Sequence, residues 1–230
     1  MRYGEIKMFE GFSMRTIDFM WDIRFNNRKD WFDAHKEEYK ASFQQPMQAL
    51  AQDVFSALEA KHPNKGFICK VSRIYKDARR LHGSGPYRDH LWFSVRKPTE
   101  EWSATPTFWF ELGPEEWSFG LGYFMAKPAT MEKFRARIDK DPKAFEKLVA
   151  PLEKQEVFEL TGPEYVRVKV APTPKTAKWY NKKYFSLTHK QKNSDALFSP
   201  SLVSELVQGF EMLMPMYDYL LTLDADPTPK

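Results

Sequence analysis

The sequence predicts an α+β fold: an antiparallel sheet, built as a meander plus a later strand, flanked by N-terminal, central and C-terminal helices. Three observations lead there. Apolar residues recur at helical spacing from Ile17 to Ala60. The period then falls to two between Phe67 and Met125. Helical spacing returns from Thr130 and again at the C-terminus, so helices flank the strand region.

Each element follows from local chemistry. Ser13 is placed to cap a first helix carrying Ile17, Met20 and Trp21, which Asn26-Asn27 ends. A second begins near Arg28, with Trp31, His35, Tyr39 and Phe43 four residues apart. Pro46 has no amide proton and should break or kink it. Met47, Leu50, Val54 and Leu58 then resume the apolar face, up to the turn at Pro63-Asn64-Lys65-Gly66. Strands are expected at Phe67–Arg79, His90–Lys97, Thr107–Leu112 and Trp117–Met125, with short links such as Gly113-Pro114 favouring antiparallel pairing. Helices are expected at Thr130–Lys140 and Pro142–Lys154, then a strand at Tyr165–Val170 with its valines inward. Ala171-Pro172-Thr173-Pro174 reads as a stiff link, followed by a short basic helix over Lys175–Lys182 and a final helix over Ser201–Leu221. No repeat or internal linker interrupts the chain, so residues 1–230 are expected to form a single domain.

Composition narrows the function classes. With 230 residues, 29% charged and 42% hydrophobic, the chain resembles a globular protein that can bury a core rather than a disordered one. The aromatic content, 16%, fits either an aromatic core or an aromatic-lined groove. Its one cysteine, Cys69, precludes a disulfide within the chain and is expected to be a buried, inert thiol. Met1–Lys7 lacks the apolar stretch of a signal peptide, and no apolar run is long enough to span a bilayer. A cytoplasmic protein without membrane partners is expected.

The densest chemistry lies in Arg73-Ile74-Tyr75-Lys76-Asp77-Ala78-Arg79-Arg80, followed by Gly83-Ser84-Gly85-Pro86-Tyr87-Arg88. On a continuous strand Arg73, Tyr75, Asp77 and Arg79 share one face. Two guanidiniums flanking a carboxylate suit an oriented anion site, with Asp77 holding the arginines; the same residues suit a structural Arg-Asp-Arg network equally well. Tyr87 and Arg88 fold back towards that face, Trp31 walls the pocket, and Arg135 adds a further guanidinium. Asp77 and Tyr87 are the candidate proton carriers.

This segment resembles the signature of a mostly bacterial family, domain of unknown function 2461, which runs Arg-x-x-Arg-Asp-x-Arg-Phe-x-x-Asp/Asn-Lys-x-x-Tyr. Arg73, Asp77, Arg79 and Tyr87 take matching positions. Phe9-Glu10-Gly11-Phe12 and Asn26-Asn27-Arg28-Lys29-Asp30-Trp31-Phe32 resemble its opening, and Arg135 and Ile138 its central helix. Lys76 stands where the family has arginine, Arg80 where it has phenylalanine, and Gly83-Ser84 where it has Asp/Asn-Lys. The resemblance implies no activity, because the family has none established.

Charge is uneven. The net charge is +4, yet Tyr165–Ser194 holds eight Lys/Arg and no acid. Lys175, Lys178, Lys182 and Lys183 form a basic patch interleaved with Trp179, Tyr180, Tyr184 and Phe185. Cations with aromatic rings suit single-stranded nucleic acid or a phosphorylated small molecule. The five histidines lack ligand spacing, so no metal is expected, and neither His82-Gly83-Ser84-Gly85 nor Gly120-x-Gly122 completes a catalytic-serine or dinucleotide motif; no cofactor is expected. The leading expectation is a binding module or cryptic enzyme for an anionic small ligand. The rival is an interaction protein whose basic face docks nucleic acid or an acidic protein.

Overall fold

Helix α1, Met14–Phe25, begins where Ser13 leaves the extended conformation; the Ser13 N–H donates to the Thr16 hydroxyl at 3.2 Å. The computed structural model describes residues 8–77, 79 and 85–229. Met1–Lys7, Ala78, Arg80 and the His82-Gly83-Ser84 sequence therefore lie outside the described residues. Helices α2, Lys29–Ala34, and α3, Lys36–Tyr39, lead into a π-helical turn at Lys40–Gln44 and then α4, Gln45–Lys61. The expected disturbance at Pro46 takes that form. Without an amide proton, Pro46 cannot serve the carbonyl of Ser42 four residues back. The buried hydroxyl of Thr16 donates to this carbonyl instead, at 2.6 Å, and ties α1 to the irregular turn.

Strands β1, Ile68–Val71, β2, Leu91–Arg96, β3, Thr107–Leu112, β4, Glu116–Gly122, β5, Glu159–Thr161, and β6, Ser186–Lys192, form a six-stranded antiparallel sheet in the order β1-β2-β3-β4-β6-β5. With helices α5, Pro128–Lys140, α6, Pro142–Glu153, α7, Ala177–Tyr180, and α8, Ser201–Leu221, the fold is α+β, as expected. No described helix is long and apolar enough to cross a membrane.

The chain forms two compact units, each assembled from three stretches: Met1–Val95, Trp109–Phe119 and Lys190–Gln208 in the first, the remainder in the second. In the first, Phe19, Phe43, Leu50, Val54 and Leu58 are fully buried, and Phe110 lies between Phe12 and Phe93 at ring distances of 6.4 and 5.5 Å. In the second, Phe134 packs against Phe145 and Phe185, and Trp179 against Phe145, at 5.3 to 5.7 Å. The high aromatic content thus fills two cores.

Glycines in β4 have a packing role. A Cβ at Gly120 would stand 1.9 Å from the Leu187 carbonyl oxygen, and one at Gly122 2.5 Å from that of Phe185. Their absence of side chains lets the backbone of β4 approach that chain closely.

Several expected strands and helices differ in the structure. The strand expected at Phe67–Arg79 ends at Val71, and beyond it a single antiparallel bridge pairs Tyr75 with Tyr87. Tyr165–Val170 is not a strand, and its valines point outward: Val166, Val168 and Val170 are 97%, 74% and 92% exposed. Among the described residues no strand pairs with this segment; the side chain of Asn181 holds it instead, accepting from the Lys169 N–H at 2.7 Å and donating to the Lys169 carbonyl at 3.2 Å. The basic helix expected over Lys175–Lys182 is one turn of α7 preceded by a 3-10 turn at Pro174–Thr176. β5 and β6 were unforeseen, and β6 hides among polar residues because Leu187 is its one strongly apolar side chain.

Candidate functional site

The arginine-rich segment of the first unit is braced rather than splayed. Across the Tyr75–Tyr87 bridge, the Lys76 N–H donates to the Pro86 carbonyl and the Arg88 N–H to that of Ile74. The Arg88 guanidinium turns back, its Nη1 donating to the carbonyls of Arg73, at 2.6 Å, and Tyr75. Burial, and then the charge of Arg73, lower the Arg88 pKa. Asp77 grips Arg79 through both side-chain oxygens, at 3.0 and 2.8 Å, and raises its pKa; the Arg79 side chain projects into solvent. Arg73 is exposed. The continuous strand face that was to align Arg73, Asp77 and Arg79 is therefore not formed, because β1 ends at Val71.

Tyr87 is 3% exposed, and its ring stacks on Phe32 at 4.2 Å. Burial pushes its phenol pKa up, followed by the charges of Tyr75 and Asp33, so it is a protonated core residue at neutral pH. Sequence reasoning missed the residue that fixes it. Asn27 accepts from the Tyr87 N–H and donates to the Tyr87 carbonyl, both at 2.9 Å. Gly85 makes room, since a Cβ there would lie 2.2 Å from Asn27 Oδ1. Trp31 stacks on His35 at 4.0 Å, and His35 Nδ1 donates to the Trp31 carbonyl.

Arg135 belongs to the second unit, where it meets residues of the acid-free run. It is 7% exposed and lines a hollow of about 460 Å³ together with Tyr165, Arg167, Val168, Lys169, Val170 and Tyr180. Helix α5 puts Arg135 and Asp139 one turn apart, and α7 delivers Tyr180, whose hydroxyl donates to Asp139 Oδ2 at 2.9 Å. Burial first, then this hydrogen bond, push Tyr180 up to about 12, so it remains a neutral phenol under ordinary conditions. The Arg135 guanidinium carbon lies 5.2 Å from the centre of the Tyr165 ring, and Lys169 Nζ 4.8 Å from the same centre. Arg135 Nη1 reaches the Tyr165 hydroxyl at 3.5 Å. Among the described residues no carboxylate forms an ion pair with Arg135, Arg167 or Lys169.

Asn181 shapes this hollow. Its carbonyl accepts from the Tyr165 N–H at 3.0 Å, and its side chain holds the Lys169 backbone. The segment carrying Tyr165, Arg167 and Lys169 is thus clamped at both ends by one residue. The acid-free charge pattern pointed to this region, but the pairing with α5 needs the tertiary structure.

The basic patch is divided. Lys175 and Lys183 are exposed, whereas Lys178 pairs with Glu153 at 2.6 Å and Lys182 is 8% exposed, bound to Glu164 and the Gly162 carbonyl. Lys182 is an interior brace, which corrects its expected place on a basic surface. Trp179 and Phe185 are likewise core residues, 1% and 0% exposed. Cys69 is partly buried, its thiol pushed up to about 12 by burial, which fits an inert role. Among the described residues no three His, Cys, Asp or Glu side chains gather as a metal site would require.

No curated protein matches the chain. The family model of the conserved hypothetical protein DUF2461, by contrast, matches residues 15–219, a span that includes the braced Arg73–Arg88 segment, Arg135 and the whole lining of the hollow. The chain therefore belongs to the domain of unknown function 2461 family.

Proposed function

We propose that this protein binds a small phosphorylated or otherwise multiply anionic ligand in the hollow around Arg135. One observation carries the reading: a nearly buried guanidinium faces a solvent-connected space without a carboxylate partner among the described residues. Burying an uncompensated charge is costly, so such a group favours an anion that restores its counter-charge. Arg167 and Lys169 add charge at the same hollow, and Tyr165 and Tyr180 line it. Guanidinium groups can grip a phosphate or carboxylate through two hydrogen bonds, each stronger than a neutral one.

The Arg73–Arg79 segment supports this reading less, because Asp77 already satisfies Arg79. Docking of nucleic acid on the basic run also has less support. Its best stacking rings, Trp179 and Phe185, lie in the core, and Lys178 and Lys182 are paired.

Calorimetric titration with inorganic phosphate tests the proposal. Binding that weakens with added salt and is lost in Arg135→Gln, while Lys175→Gln binds like the unmodified chain, is the expected result. Equal binding by Arg135→Gln and the unmodified chain overturns it, provided circular dichroism shows both folded.

A further inference from the structure

We infer that the ligand of this hollow is a phosphorylated polyol, a sugar or sugar-alcohol phosphate, rather than a nucleotide; the inference rests on the anion-binding reading above. The first support is the shortage of open aromatic surface. Proteins hold a nucleobase largely by stacking it on a ring. Here the Tyr165 ring is already faced by the Arg135 guanidinium at 5.2 Å and by Lys169 Nζ at 4.8 Å. Tyr180 is 9% exposed, and its hydroxyl is held by Asp139. Two further rings of the same stretch, Trp179 and Phe185, pack against one another at 5.4 Å inside the core, and Tyr184 is not among the residues that line the hollow.

The second support is what the hollow offers instead. Apart from Val168 and Val170, its lining is three cations and two phenols. At about 460 Å³ it exceeds the needs of a bare phosphate and falls in the range of about 300–1,000 Å³ typical of small-molecule sites. Phenol hydroxyls both donate and accept, which suits ligand hydroxyl groups. Asp139 contributes one oxygen to Tyr180, and as an exposed carboxylate it has a second oxygen able to accept from a ligand hydroxyl. The division of labour is then simple: Arg135, Arg167 and Lys169 take the phosphate, while Tyr165, Tyr180 and Asp139 take the hydroxylated body.

Calorimetry with four probes decides it: inorganic phosphate, glucose monophosphate, adenosine monophosphate and glucose. The expected order places glucose monophosphate at least tenfold tighter than inorganic phosphate, adenosine monophosphate no tighter than inorganic phosphate, and glucose without measurable heat. In Asp139→Asn the advantage of glucose monophosphate over phosphate should shrink severalfold. Adenosine monophosphate binding tighter than the sugar phosphate, or the sugar phosphate matching bare phosphate, overturns this inference and leaves anion binding standing. Failure of all three phosphorylated probes removes the anion-binding reading as well.

Discussion

Arg135 and Tyr165 form a cation–π pair, the guanidinium carbon 5.2 Å from the ring centre, with Nη1 at 3.5 Å from the phenol oxygen. The ring orients the guanidinium without neutralising it. Replacing Arg135 with lysine keeps the charge but removes the planar fork of the guanidinium. Hydrogen bonds to charged groups contribute about 1.5–3 kcal/mol each. Arg135→Lys should therefore weaken phosphate binding by roughly tenfold or more, measured by calorimetry. Unchanged affinity would mean that a point charge is sufficient.

Asn27 and Tyr87 provide a test of the braced segment. Asn27 makes two hydrogen bonds to the Tyr87 backbone, and Asn27→Ala leaves both backbone groups without that partner. Loss of about 1–3 kcal/mol in denaturant unfolding is expected. Phosphate affinity of the folded variant should stay the same if binding resides at Arg135.

Thr16 should matter beyond its own helix. Its buried hydroxyl serves the Ser42 carbonyl that Pro46 cannot, so Thr16→Val leaves that acceptor without this donor. The isosteric change should cost about 1–3 kcal/mol in chemical denaturation. A neutral result would show that the π-helical turn repairs itself.

Alkaline pH offers a further check. Burial pushes the phenols of Tyr39, Tyr180 and Tyr217 from 10.0 up to about 12. A phenol whose folded pKa lies above its unfolded value holds its proton more tightly when folded. Its stabilising effect is complete below pH 10.0 and is lost as pH rises through about 12. Tyrosinate absorbance from these groups should therefore appear together with loss of the far-ultraviolet circular dichroism signal. Ionisation of all the tyrosines near 10 in a still-folded protein would contradict this burial.

Local rules made much of the fold legible. The Met14–Phe25 helix follows from its capping serine and helical spacing, the Pro142–Glu153 and Ser201–Leu221 helices from helical spacing, and the β2–β4 meander from alternation and short links. Arg135 was identified from its resemblance to a family position, and the acid-free run from charge alone.

By itself, then, the sequence determined the α+β class, the helical opening and the basic character of residues 165–194. Tertiary structure decided which polar groups are satisfied. Val166–Val170 alternates like a strand, but a strand needs a neighbour to take its backbone, and Asn181 takes that role instead. Lys182 and Arg135 are both basic residues in the sequence; in the fold one is buried against Glu164 and the other against an open hollow. The physical reason is that the partner of a charge is set by contacts distant in sequence, and that partner separates a structural brace from a candidate binding group.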